Sequence, residues 1–238
     1  MLNLYITSTI KQEGKTFLTS GLATTMQSLG YTTSVYKPIQ TSGIDVNGFT
    51  QSPDLTYIKS LDPYINTQFS YLFKTSAEPL IAAEEENEYI DLDLINKDYQ
   101  KIISNSDCTL IDGDCGLLSP LAPSIQNIDI AKKLSVPILL TVKPNENAIN
   151  SAILNINAAQ EKEVNVRGVI INDIKNDTPT GLITAMTRVI EEYTGANILG
   201  LLPHIGGKVV AEDLITSVLN GIDIESVFDV KIEKLEFC

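Results

Sequence analysis

Arginine, histidine and cysteine are all scarce in this 238-residue sequence, and each scarcity narrows what the chain can be. Two arginines, Arg167 and Arg188, against a formal net charge of −13 leave most of the surface repelling phosphate backbones, so nucleic acid is not expected as a partner. The three cysteines, Cys108, Cys115 and Cys238, form neither a C-x-x-C pair nor a metal-ligand spacing, and an odd number makes a poor disulfide framework. They read as buried or inert thiols. The one histidine, His204, follows Pro203 and reads as a surface residue, not a catalyst. No apolar run approaches the ~18 residues of a membrane helix. The start, Met1-Leu2-Asn3-Leu4-Tyr5-Ile6, lacks the basic segment and small-residue cleavage site of a secretory signal, so a cytoplasmic enzyme is expected. There is no internal repeat, low-complexity tract or Gly/Ser linker, and the expectation is one doubly wound domain over 1–238.

What is present is an alternation of short apolar runs with longer amphipathic ones, the pattern of βαβ units and a mostly parallel sheet flanked by helices. Leu2 to Thr7 reads as a first strand and Lys15 to Leu29 as a helix with Leu18, Leu22, Met26 and Leu29 on one face, ended by Gly30. A second strand, Thr32 to Tyr36, is expected to stop at Lys37-Pro38 and open a long polar loop through Gly43 and Gly48. Asp54 opens a short helix, and Ala77 to Asn87 and Asp93 to Ser104 read as two more. The strand Cys108 to Ile111 delivers Asp112-Gly113-Asp114-Cys115-Gly116 at its C-terminal end, where ligands sit in open α/β sheets. Further strands are read at Val136 to Val142, Val166 to Ile171 and Ile198 to Leu202, with helices at Ala148 to Glu161 and Thr180 to Tyr193. The tail after Gly221 is less regular, with an edge strand or a dimer contact as its alternatives.

Against so acidic a background, lysines converging on one loop are informative, and Lys11, Lys15 and Lys37 are the candidates. The segment Ser8-Thr9-Ile10-Lys11-Gln12-Glu13-Gly14-Lys15-Thr16 lies between the first strand and the first helix. That is the setting of G-x-x-x-x-G-K-[ST], in which backbone N–H groups and a helix N-terminus meet phosphate, lysine reaches the outer phosphates and the hydroxyl ligates magnesium. Gly14, Lys15 and Thr16 match, with Gln12 and Glu13 in the loop and Ser8 read at the first glycine. Partition-type and septum-site ATPases carry a signature lysine five residues before the loop lysine; that position is Ile10 here, which disfavours that branch.

After the second strand comes Tyr36-Lys37-Pro38-Ile39-Gln40-Thr41-Ser42-Gly43, which resembles the Y-K-P-V-Q-T-G segment of dethiobiotin synthetases. Ser52-Pro53-Asp54, Ala77-Glu78-Pro79-Leu80-Ile81-Ala82-Ala83, and Ile111-Asp112-Gly113-Asp114-Cys115-Gly116 with Leu117 to Leu121 are similar to further segments of that family, in the same order. So are Val136-Pro137-Ile138-Leu139-Leu140, Ala148-Ile149-Asn150, Ile171-Asn172-Asp173 and Leu199-Gly200-Leu201-Leu202-Pro203.

The resemblance implies a P-loop fold and an ATP- and magnesium-dependent ligase of biotin biosynthesis. One amine of 7,8-diaminopelargonate takes up carbon dioxide as a carbamate, whose oxygen attacks the γ-phosphate, and the other amine closes the ureido ring. By the same resemblance Lys15 and Lys37 are the catalytic cations, and Thr16, Asp54 and Asp112 hold Mg2+. Asp112 is shorter than the family's glutamate, so its contact is expected through water. Thr41 binds the carbamate or phosphate, Asn172 the purine edge, and Asn150 the substrate carboxylate across a homodimer interface. The Pro144-Asn145-Glu146-Asn147 segment departs from the family in having no glycine. Two alternatives stay open: a related domain that binds nucleotide for regulation, and an ATP-dependent amidoligase acting on a larger carboxylated substrate.

Overall fold

The computed structural model describes residues 2–232. In chain order its elements are β1 (Leu2–Ser8), α1 (Lys15–Ser28), β2 (Thr33–Gln40), β3 (Ile44–Val46), β4 (Phe49–Gln51), α2 (Pro53–Leu61), β5 (Asn66–Leu72), α3 (Pro79–Glu85) and α4 (Leu92–Ile103). There follow β6 (Cys108–Cys115), β7 (Pro120–Ala122), β8 (Ile125–Gln126), α5 (Asn127–Leu134), β9 (Ile138–Val142), α6 (Ala148–Glu161), β10 (Val166–Ile174), α7 (Thr180–Thr194), β11 (Ile198–Pro203), α8 (Ala211–Gly221) and α9 (Ile224–Phe228). Seven strands form one sheet in the order β11-β10-β9-β1-β6-β2-β5, every pairing parallel. This is the doubly wound architecture expected from the alternating pattern.

Alternation along the strands divides the core between the two faces. Leu4 and Ile6 of β1, Leu110 of β6, Leu139 of β9 and Ile170 of β10 pack in one cluster with Leu18 and Leu22 of α1, Leu55 of α2 and Val218 of α8. Their neighbours Tyr5, Ile111 and Ile138 turn to the opposite cluster beneath α4 and α5, while Leu140, Val169 and Ile171 pack against α6 and α7. Strands buried on both faces read as continuous apolar runs, which is why most were visible in the sequence.

Three expectations are corrected. The second strand does not stop at Lys37-Pro38: β2 continues to Gln40, with its ladder to β5 running through Lys37↔Phe69 and Ile39↔Tyr71 on either side of the proline. The fixed φ of proline is compatible with extended backbone, so the ring is carried within the strand. The loop that follows is not wholly irregular, because β3 and β4 pair as a hairpin across Asn47-Gly48, whose φ values of 53° and 84° suit a two-residue turn. Of the two alternatives for the tail after Gly221, the edge strand is not what the described residues form: Ile222 makes a single bridge to Gly200 and α9 follows, with Ile224, Val227 and Phe228 buried in the cluster that includes residues of α1 and α8. Cys238 lies outside the described residues. Cys108 is buried and free, and burial pushes its thiol well above the ordinary range.

Side-chain bonds tie the end of β6 to its neighbours. Asn127 at the start of α5 donates to the carbonyls of Asp114 and Gly116 at 3.0 and 3.3 Å and accepts from the Tyr5 hydroxyl. Gly113 passes so close to Tyr5 that an added Cβ would lie 2.4 to 2.5 Å from its ring and hydroxyl. Both partners sit in well-packed surroundings, so Gly113→Ala is expected to cost about 1–3 kcal/mol through overpacking. A denaturant midpoint equal to that of the unsubstituted protein would show that Tyr5 has room to move.

Candidate functional site

Sheet register alone brings the first site residues together. Tyr5, Ile111 and Tyr36 stand side by side on β1, β6 and β2 with their side chains to one face. The following residues, Ile6, Asp112 and Lys37, therefore turn to the other face, under the start of α1. There α1 contributes Lys15 and Thr16 from its first turn, and α2 contributes Asp54, also from its first turn. Ser52 caps α2 by accepting from the Leu55 N–H at 3.2 Å, and its hydroxyl donates to Gln40 at 2.6 Å, which ties Asp54's helix to the end of β2.

The five side chains form one bonded group. Lys37 Nζ lies 2.8 Å from Asp54 Oδ2 and 2.9 Å from Asp112 Oδ2. Thr16 Oγ1 donates to the same Asp112 oxygen at 3.2 Å, while Thr19 Oγ1 and Lys15 Nζ stand 3.4 and 4.0 Å from Asp112 Oδ1. Asp112 is fully buried and Lys37 is 4% exposed. Burial opposes the charge on Lys37, but Asp112 and Asp54 outweigh it and the ammonium's pKa is raised. Burial likewise opposes ionisation of Asp54, yet Lys37 above all holds its carboxyl below the usual range. Two lysines against two aspartates leave the group formally neutral.

The phosphate loop turns on two residues in left-handed conformation, Gln12 at φ 66° and Gly14 at φ 76°, the latter capping α1. Lys15 begins α1, and no acidic side chain occupies the first turn. A cation there opposes the helix dipole, which makes sense where an anion is to be bound. Glu13 is folded inward at 1% exposure: its Oε2 accepts from Thr9 N at 2.9 Å, Thr9 Oγ1 at 2.7 Å and Ile10 N at 3.1 Å. The side chain of this expected nucleotide contact thus braces the loop from within. Asn172 is similarly committed. Its amide donates to the Glu13 and Gly14 carbonyls at 3.1 and 3.3 Å, and its oxygen accepts from Asp173 N at 2.8 Å. In this structure the Asn172 side chain holds the loop in place.

The profile of the AAA domain family matches residues 2–208. The chain belongs to this family. ATP-dependent dethiobiotin synthetase BioD of Bacillus cereus (strain G9842) is 26% identical over 217 residues, covering 91% of this chain and 89% of that protein. The enzyme of the same name from Bacillus thuringiensis (strain Al Hakam) matches to the same extent, so the resemblance carried by the motifs is borne out. Among solved structures, the MinD cell division protein of Aquifex aeolicus shares the fold at TM-score 0.57 and 18% identity, over all of this chain and 98% of that one. A ParA family ATPase from Chlorobium tepidum TLS does so at 0.55 and 14%, over 98% and 94%.

Beside the loop of this AAA-domain chain opens a cleft of about 260 Å³, lined by Gly14, Phe17, Asn172, Asp173, Pro203 and His204 among others. Asp173 accepts from Lys143 Nζ at 2.8 Å and meets His204 Nδ1 at 2.5 Å. Although burial opposes it, these two partners lower the Asp173 pKa. His204 is exposed, as expected, but it is bonded into the cleft wall. A larger groove of about 510 Å³ runs past Ser52, Leu55 and Phe69, and its lining includes none of the phosphate-loop residues. Thr41 follows β2 half-buried, its carbonyl accepting from Gln40 Nε2 at 2.8 Å. Asn150 is exposed on the first turn of α6, and none of the side-chain bonds of the lysine–aspartate group involves it. Among the described residues no helix is long and apolar enough to cross a membrane.

Counting five residues back from Gly14 puts the motif's first glycine position at Thr9, so the assignment to Ser8 is corrected: Ser8 lies one residue earlier, within β1. Its hydroxyl donates to the Ile10 carbonyl at 2.8 Å, a bond internal to the loop. Ser8→Gly is therefore expected to keep ATP affinity within a few-fold. A tenfold loss, by calorimetry with ATP and magnesium, would mean that the hydroxyl reaches phosphate.

Proposed function

We propose that this protein is an ATP- and magnesium-dependent ligase that closes the ureido ring of dethiobiotin on 7,8-diaminopelargonate and carbon dioxide. The observation that carries this reading is the convergence of Lys15, Lys37, Thr16, Asp54 and Asp112 at one end of the sheet. The names of the similar Bacillus proteins supply its substrate class. Phosphoryl transfer depends on positioning and on neutralising charge at the transferred group, and two lysines at the mouth of a phosphate loop suit that task.

In this reading the loop backbone and the N-terminus of α1 hold the triphosphate, and Lys15 neutralises its outer charge. Lys37 attends the transferring phosphoryl group and the carbamate oxygen that attacks it. The carboxylates of Asp54 and Asp112 and the hydroxyl of Thr16 are hard oxygen donors suited to Mg2+, which prefers such ligands and keeps several waters. When bound, the metal would offset the negative charge of the triphosphate. Thr41, at the end of β2 and three residues beyond Pro38, would meet the carbamate or phosphate. Asn150, exposed at a helix N-terminus, would hold the substrate carboxylate in a homodimer, where positive helix ends favour anions. A cytoplasmic location belongs to the same proposal.

The test is release of ADP measured with each substrate omitted in turn. Dependence on both diaminopelargonate and bicarbonate is the expected result. ADP release that needs neither would make the chain a bare ATPase, and nucleotide binding without release would make it a regulatory domain.

A further inference from the structure

The Lys37 ammonium occupies the space between the two carboxylates assigned above to the metal. It touches Asp54 Oδ2 and Asp112 Oδ2 at 2.8 and 2.9 Å, and the third assigned ligand, Thr16 Oγ1, is bonded to that same Asp112 oxygen. Magnesium bonds to oxygen at about 2.0–2.1 Å. A divalent cation reaching both of these oxygens would sit within a few ångströms of the ammonium, in a site where Asp112 is wholly buried and Lys37 nearly so. Two like charges that close, with little water between them, exclude one another.

We propose that Lys37 is a built-in placeholder for the metal, keeping the two aspartates paired until nucleotide arrives. The ammonium leaves only for a stronger anion, and the one that the phosphate loop admits is a triphosphate. Metal entry and nucleotide binding are then coupled: the polyphosphate draws Lys37 away and brings the divalent cation into the vacated position. By reciprocity, each raises the affinity of the protein for the other. Without Lys37 the two carboxylates would repel each other and recruit any divalent cation on its own, and bare metal would compete with metal–nucleotide for the site. The lysine thus restricts the site to cations that come with phosphate. This inference rests on the proposed function only in taking Asp54 and Asp112 as metal ligands.

The experiment is titration of the protein with Mn2+ alone, followed by electron paramagnetic resonance of free Mn2+. The unsubstituted protein is expected to bind weakly and Lys37→Met at least tenfold more tightly, with the gain lost in Lys37→Met combined with Asp54→Asn. Equal affinity of the unsubstituted protein and Lys37→Met overturns the proposal. Should Lys37→Met fail to fold, crystals of the unsubstituted protein soaked in Mn2+ decide. A Mn2+ anomalous peak between Asp54 and Asp112 with Lys37 still in place refutes the placeholder. A peak there only with a non-hydrolysable ATP analogue, with Lys37 moved off the carboxylates, upholds it. Neither measurement involves turnover, so a protein inactive as a synthetase could still support the placeholder, and an active one could refute it.

Discussion

Lys37→Ala is expected to lower turnover by about 10² to 10³, the scale of removing one preorganised charge from a developing anion, while ATP affinity changes far less. The structure adds a second effect. Asp112 is fully buried, and its closest cation is Lys37 at 2.9 Å, with Lys15 at 4.0 Å. Removing one partner of a buried pair typically costs about 3–5 kcal/mol, and the remaining bonds from Thr16 and Thr19 hold the expectation to the lower end. At roughly 2–4 °C per kcal/mol for a chain of this size, the melting temperature should fall by about 6–12 °C. Magnesium with an ATP analogue should return part of that loss, because the metal supplies charge to both aspartates. Steady-state kinetics beside thermal melts with and without the ligand separate the two effects. An unchanged rate would remove Lys37 from the chemistry, and an unchanged melting temperature would mean that Asp112 is content without it.

Glu13→Ala should damage the loop before it touches chemistry. The carboxylate accepts from Thr9 N, Thr9 Oγ1 and Ile10 N, and its other oxygen faces Lys143 N at 3.5 Å. Thr9 is buried, so its N–H is left without a partner when the side chain is cut back, at a cost of about 1–3 kcal/mol. The same cut frees the turn that presents Gly14 and Lys15. The expected result is a melting temperature lower by several degrees and ATP binding weaker by tenfold or more, with Glu13→Gln recovering much of both. If Glu13→Ala instead binds ATP more tightly, the buried negative charge was opposing the triphosphate, and its bracing role is refuted.

The difference between Glu13 and Lys37 shows how far the sequence could be read. Lys37 and Asp54, which the structure brings together, were legible because Tyr36 to Gly43 and Ser52 to Asp54 keep the types and order of a resembling family. The loop's bracing by Glu13 and Asn172 was not, since it depends on a side chain folding back four residues and on an amide arriving 158 residues later. The edge strand β5 was missed because its Asn66–Leu72 run is only partly buried and carries no continuous apolar signal. The hairpin turn Asn47-Gly48 did carry a local signal, a dipeptide favouring left-handed backbone, obscured by the glycines around it.

By itself the sequence determined the alternation of strand and helix, the parallel sheet and the phosphate-loop position. These depend on period, on apolar run length and on a few residues whose backbone needs are local. Only the tertiary structure decided that Lys37 sits between Asp54 and Asp112. That contact requires β1, β6 and β2 to align Tyr5, Ile111 and Tyr36, so that the next residue of each strand turns toward α1 together. It also requires α2 to start where Ser52 is tied to Gln40. Register and helix placement are properties of packed neighbours, and the charges they bring into contact are 17 to 75 residues apart along the chain, beyond any local pattern.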